Sequence, residues 1–134
     1  DLAERDPKQA KESFEAFREL VTRFPESKYS ADARLRMAFI KNSLARSDVH
    51  VARFYYERGA YVAAINRAQI TVNDFRDVPA VEEALSIMVQ SYDKLGLNQL
   101  RDDTKRVLES TYPNTAFLHP ERAATKKSWW KFWK

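Results

Sequence analysis

Only two glycines punctuate this chain, Gly59 and Gly96, and each closes a stretch whose apolar residues recur at steps of three and four. Glycine takes positive φ without steric cost and belongs just past a helix end, so each one marks a helix stop and a reversal. Ahead of Gly59, the span Tyr29 to Arg58 holds neither Gly nor Pro, and Ala33, Met37, Ile40, Leu44, Val51 and Tyr55 stay in phase across it. That pattern predicts one long helix of about 45 Å at 1.5 Å per residue. Ser47-Asp48 is the one place it could break, because both residues are good helix caps. Leu35, Phe39 and Phe54 fall off the main stripe, which predicts burial on more than one face.

Beyond Gly59, Tyr61, Ile65, Ala68, Val72 and Phe75 form a second stripe, while Ala60, Ala63 and Ala64 let two backbones approach closely. The two helices make a hairpin. Upstream, a first helix is expected from Asp6-Pro7, with Asp as cap and Pro at the first helical position. Ala10, Phe14, Phe17, Val21 and Phe24 form its buried side, and Pro25 stops it. Downstream, Asp77-Val78-Pro79 opens a helix with Glu82 and Glu83 in its first turn, where the dipole favours anions. Val81, Leu85, Met88, Tyr92 and Leu95 line its inner face. After Gly96, Asn98 is placed to cap a last helix carrying Leu100, Val107, Leu108 and Tyr112. Its Asp102 to Arg106 run is polar, as the terminal unit of a stacked array requires.

The two glycines lie 37 residues apart, each with a tyrosine four residues before it, Tyr55 and Tyr92. Each is followed by a helix ending in an aromatic, Phe75 and Tyr112. This spacing fits the tetratricopeptide (TPR) repeat of about 34 residues. The consensus tryptophan is absent, and Arg101 and Lys105 stand where the last unit would carry small or aromatic residues. The expected fold is all-α: TPR-like hairpins over residues 1–113, stacked as a right-handed superhelix with one long central helix. Residues 114–134 are expected to be a basic aromatic tail, extended or partly disordered. Such stacking points to binding of proteins or peptides.

Charge separates the two parts. Residues 1–120 carry 18 basic and 18 acidic side chains, whereas residues 121–134 carry five basic against one acidic and all three tryptophans. The absence of cysteine excludes disulfides and thiolate chemistry, and no apolar run approaches the roughly 18 residues of a membrane span. His50 and His119 are far apart and no His/Glu helical pair exists, so a metal site is not expected. Glu82-Glu83 and Asp102-Asp103 are adjacent and diverge around their helices. No glycine-rich elbow or phosphate loop is present. The chain reads as non-enzymatic, with no cofactor and no small-molecule substrate.

Asp6-Pro7 through Phe24-Pro25-Glu26-Ser27-Lys28-Tyr29, running into a long helix, and the hairpin Tyr55-Tyr56-Glu57-Arg58-Gly59-Ala60-Tyr61-Val62-Ala63-Ala64-Ile65-Asn66-Arg67 together carry a family likeness. They resemble the C-terminal half of the BamD family, lipid-anchored TPR subunits of the outer-membrane β-barrel assembly machine. The resemblance covers residues 1 to about 112 and is densest over Tyr55–Arg67. It implies a scaffold on the periplasmic face of the outer membrane, anchored through an N-terminal part absent from this chain. It also implies docking onto the last POTRA domain of the barrel-forming subunit BamA, with smaller Bam lipoproteins alongside. The family's Asn-Arg pair matches Asn66-Arg67, and Arg58 and Tyr61 are the further partner-binding candidates.

The residues give Arg67 independent support, since no acid stands at positions 63, 64, 70 or 71 to pair with it along the helix. Read as unpaired, it offers a donor fork suited to a partner carboxylate; the plainer reading is a solvated surface arginine. A generic TPR adaptor holding a peptide in its concave groove is the alternative to the scaffold. In the tail, Lys126, Lys127, Trp129, Trp130, Lys131, Phe132 and Trp133 alternate cations with aromatics. That suits a membrane surface or a groove on a partner subunit. Nucleic acid is disfavoured because the neutral body supplies no electrostatic track for a strand.

Overall fold

The computed structural model describes residues 7–76 and 78–117, which form five helices. They are α1 (Pro7–Arg23), α2 (Lys28–Glu57), α3 (Tyr61–Asp74), α4 (Ala80–Lys94) and α5 (Asn98–Thr111). Each packs against the next, and α2 also touches α4. Two stacked helical hairpins with a preceding helix result, as a TPR-like array requires. Asp6 and Asp77, expected to start α1 and α4, lie outside the described residues, as does the tail from residue 118.

The two reversals are the same object built twice. Gly59 and Gly96 adopt φ of +78° and +74°. At the first turn the Ala60 N–H reaches back to the Tyr55 carbonyl at 2.9 Å and the Gly59 N–H to Tyr56 at 3.0 Å. At the second, Leu97 N–H reaches the Tyr92 carbonyl at 3.0 Å and Gly96 N–H the Asp93 carbonyl at 3.1 Å. These crossed six-to-one and five-to-two bonds are Schellman caps, which satisfy orphan carbonyls at a helix end. The repeat extends to the helix ends that follow, where Phe75 N–H donates to Thr71 and Tyr112 N–H to Leu108.

A β-carbon added at Gly59 would meet nothing within 4 Å, so only the backbone angle opposes substitution. Gly59→Ala is therefore expected to cost about 1–2 kcal/mol, the left-handed penalty for an L-residue. Gly59→Asn should cost less, because Asn tolerates that conformation. Thermal melts ranking Gly above Asn above Ala would bear this out; equal melting temperatures would contradict it.

The core is small-residue packing around α4. Ala45, Val49 and Ala52 of α2, Ala64 and Ala68 of α3 and Leu108 of α5 close on Val81, Ala84, Leu85, Ile87 and Met88. Of the three alanines the sequence places at the α2–α3 turn, Ala64 is buried in this cluster, whereas Ala63 is half-buried and Ala60 is exposed. A second cluster joins Ala10 of α1 to Ile40 of α2, with Phe14, Phe17 and Leu44 against it. The loop between α1 and α2 is stapled by the buried Ser30, whose hydroxyl donates to the Phe24 carbonyl. Beyond α5, Thr115 is buried, so the packed chain continues past Pro113.

The long helix forms unbroken through Ser47-Asp48. Several expectations need correction. Leu35, Phe39 and Phe54 are exposed, Leu35 to 72% and Phe39 to 62%, so the second apolar face of α2 is bare among the described residues. Phe24, Tyr55, Leu95, Leu100 and Val107 are exposed as well. Asn98 does not cap α5: Leu97 holds that position, without a side-chain bond. The reversal is so tight that the residue after each glycine both closes one helix and starts the next. Arg101 accordingly donates its N–H to the Leu97 carbonyl. Its guanidinium bonds Asp93 of α4 at 2.7 Å and Asp102 at 3.0 Å, and these bonds, Asp93 first, raise its pKa above the usual arginine value.

Candidate partner-binding face

The residues singled out around the first hairpin fall into two groups. Arg58 and Tyr61 belong to the tip. Arg58 is exposed, and its guanidinium lies 4.2 Å from the centroid of the Phe54 ring, a cation–π stack. Phe54 meets Tyr55 edge-on at 5.9 Å. Tyr61 is half-buried and turns its ring against Tyr56 at 5.5 Å, so it braces the α2–α3 seam.

Asn66 and Arg67 lie further along α3, about 8–9 Å from Tyr61 at 1.5 Å per residue. Asn66 is exposed. One turn to either side of it stand Val62, 61% exposed, and Ile70, also exposed. The outer row of α3 is thus aliphatic, amide, aliphatic, and it continues with Gln69 donating to Asn73 at 3.0 Å. Sequence reasoning missed Val62 and Ile70. The available signal was their eight-residue spacing about Asn66, off the buried stripe.

Arg67 is not unpaired. Its Nη2 donates to Oδ1 of Asp48 on α2 at 3.0 Å, with the side chains 41% and 22% exposed. The Nε of Arg67 is enclosed and has no acceptor. Among the described residues the guanidinium is therefore held by one bond, from Nη2, with its Nε enclosed and the side chain as a whole half-exposed. A half-exposed pair of this kind contributes on the order of 1 kcal/mol or less. A second cross-helix pair ties α2 to α4, where Arg53 Nη2 and Nε lie 2.6 Å and 2.7 Å from Glu83 Oε1. Thus Asp48 and Arg53, five residues apart on α2, brace it to α3 and α4 respectively. The aromatic and basic tail residues, Lys126 to Trp133, lie outside the described residues.

Comparison with known proteins adds a family. Residues 1–108 match the family described as YfiO, outer membrane lipoprotein. An outer membrane protein assembly factor BamD from Neisseria meningitidis is 45% identical over 133 residues, covering 99% of this chain and 50% of the relative. The BamD of Haemophilus influenzae is 38% identical over 115 residues, covering 86% and 44%. That of Vibrio cholerae is 38% identical over 109 residues, covering 81% and 45%. This chain spans about half the length of the curated relatives it matches.

Proposed function

The chain belongs to the YfiO outer membrane lipoprotein family, and from that premise we propose that it is a non-catalytic scaffold in outer-membrane β-barrel assembly. In this reading the α2–α3 hairpin docks the POTRA region of BamA, and accessory Bam lipoproteins bind alongside. A lipid anchor in a preceding part of the protein holds it at the periplasmic face of the outer membrane. The relatives' name, assembly factor, supports the process. The observation that carries the docking site is the outer row of α3, where exposed Val62, Asn66 and Ile70 stand beside the half-exposed Arg67. A guanidinium among exposed side chains suits a protein contact, since arginine is enriched at interfaces. Amides, aliphatics and a guanidinium contain no nucleophile–base pair, so the face itself has nothing to turn over.

The test is co-elution. Mixed with the soluble periplasmic region of BamA, the chain is expected to migrate as a complex on size exclusion; independent elution would refute the proposal. The tail, Lys126, Lys127, Trp129, Trp130, Lys131, Phe132 and Trp133, supplies a second contact, on a partner or on anionic lipid. Deleting residues 126–134 lowers co-elution in the first case and liposome pelleting in the second.

A peptide-receptor reading has one observation in its favour. Grooves of about 410 and 350 Å³ share the exposed Phe39, the first lined also by Phe17, Leu35 and Ile40, the second by Arg46 and Pro79. Displacement of a peptide from these grooves by Phe39→Ala, with the α3 row intact, would favour that reading.

A further inference from the structure

Asp48 is a mostly covered carboxylate in the middle of a helix that has no use for it as a cap. The positions one turn away on α2 are Leu44, Ala45, Val51 and Ala52, so no cation stands one turn from it on its own helix. Arg67 serves it, from α3. Resting on the reading of Arg67 as a docking residue, we infer that Asp48 is an internal counter-ion that positions the Arg67 fork and, by its charge, weakens the docking it prepares.

The geometry of the pair leads there. With Nε enclosed and unbonded, Arg67 does not form the side-on, two-point pair that an Arg–carboxylate couple favours. Among the described residues only Nη2 is engaged. A partner carboxylate then shares the Nη end with Asp48, which places two like charges on one guanidinium with an unfavourable Coulomb term between them. Without Asp48, however, a cation half-covered at the α2–α3 seam would lack a counter-charge whenever the partner is absent. Asp48 therefore trades docking strength for stability of the free protein.

The two readouts consequently move in opposite directions. Asp48→Asn keeps an oxygen to accept from Nη2 and removes the charge. It is expected to lower the melting temperature of the free chain by roughly 2–4 °C. It is expected also to tighten docking about fivefold at low salt, with a steeper loss as salt is raised. A merely structural Asp48 would lower stability without tightening docking.

The experiment titrates the soluble periplasmic region of BamA into the full chain by calorimetry at two salt concentrations, for wild type, Asp48→Asn and Arg67→Ala. Asp48→Ser, uncharged and shorter, is carried as a second variant and is expected to shift in the same direction. Tighter binding of the uncharged variants beside weaker binding of Arg67→Ala supports the inference. Unchanged or weaker binding of both uncharged variants, with Arg67→Ala still weakened, overturns it and leaves the docking role of Arg67 standing. Unchanged binding of Arg67→Ala overturns that docking role and this inference with it.

Discussion

Replacing Leu108 with alanine is expected to cost about 3 kcal/mol, in the range for truncating a fully buried leucine, and to release α5 ahead of the rest of the fold. Leu108 is completely buried and is the one buried residue of that helix. Its neighbours toward the outside, Leu100 and Val107, are exposed, and the helix is otherwise charged or polar. The ion pairs of Arg101 with Asp93 and Asp102 are too exposed to hold α5 alone. Ile87, equally buried in α4, sits at the centre of the larger cluster, so Ile87→Ala should lower global stability instead of detaching one helix. Amide exchange distinguishes the two. Accelerated exchange confined to residues 98–111 in Leu108→Ala is the expected result; unchanged exchange there would show that α5 is held by something else.

Arg67→Ala is expected to weaken docking by about 2 kcal/mol, some thirtyfold, the lower end of the range for breaking an interfacial charge pair because the guanidinium is only half-covered. Its cost to the fold should be small, since it removes an ion pair worth on the order of 1 kcal/mol or less together with an enclosed, unbonded Nε. Asp48 is left partly exposed and able to hydrate. A calorimetric titration against the BamA periplasmic region, beside a thermal melt, separates the effects: a large change in affinity with a shift of a few degrees or less supports docking. Unchanged affinity would reduce Arg67 to a structural brace.

What the sequence made legible was local in origin. A glycine at each reversal, a tyrosine four residues before it and an aromatic at the next helix end are requirements of the chain within one hairpin. They reappear as two corresponding sets of backbone hydrogen bonds. The long helix was readable because nothing between Tyr29 and Arg58 can stop one. What crossed between helices was not readable. The partner of Arg67 lies 19 residues upstream, beyond any search confined to helical neighbours, and Asp48 looked like a cap. Arg53 and Glu83, 30 residues apart, escaped for the same reason. Periodicity also assigns apolar residues to a face without saying whether anything covers it, which is why Leu35, Phe39 and Phe54 were expected inside. The family resemblance singled out Asn66 and Arg67 as candidates, whereas Val62 and Ile70, exposed on either side of Asn66, became visible only once α3 had a buried side.

The central claim is that Arg67 serves a partner and not only the seam between α2 and α3. The double variant Asp48→Arg with Arg67→Asp tests it most directly, because it restores the intramolecular pair while moving the cation onto the other helix. Its melting temperature is predicted to lie close to that of the wild type while its affinity for the BamA periplasmic region stays at least tenfold weaker. Recovery of wild-type affinity along with stability would contradict the account.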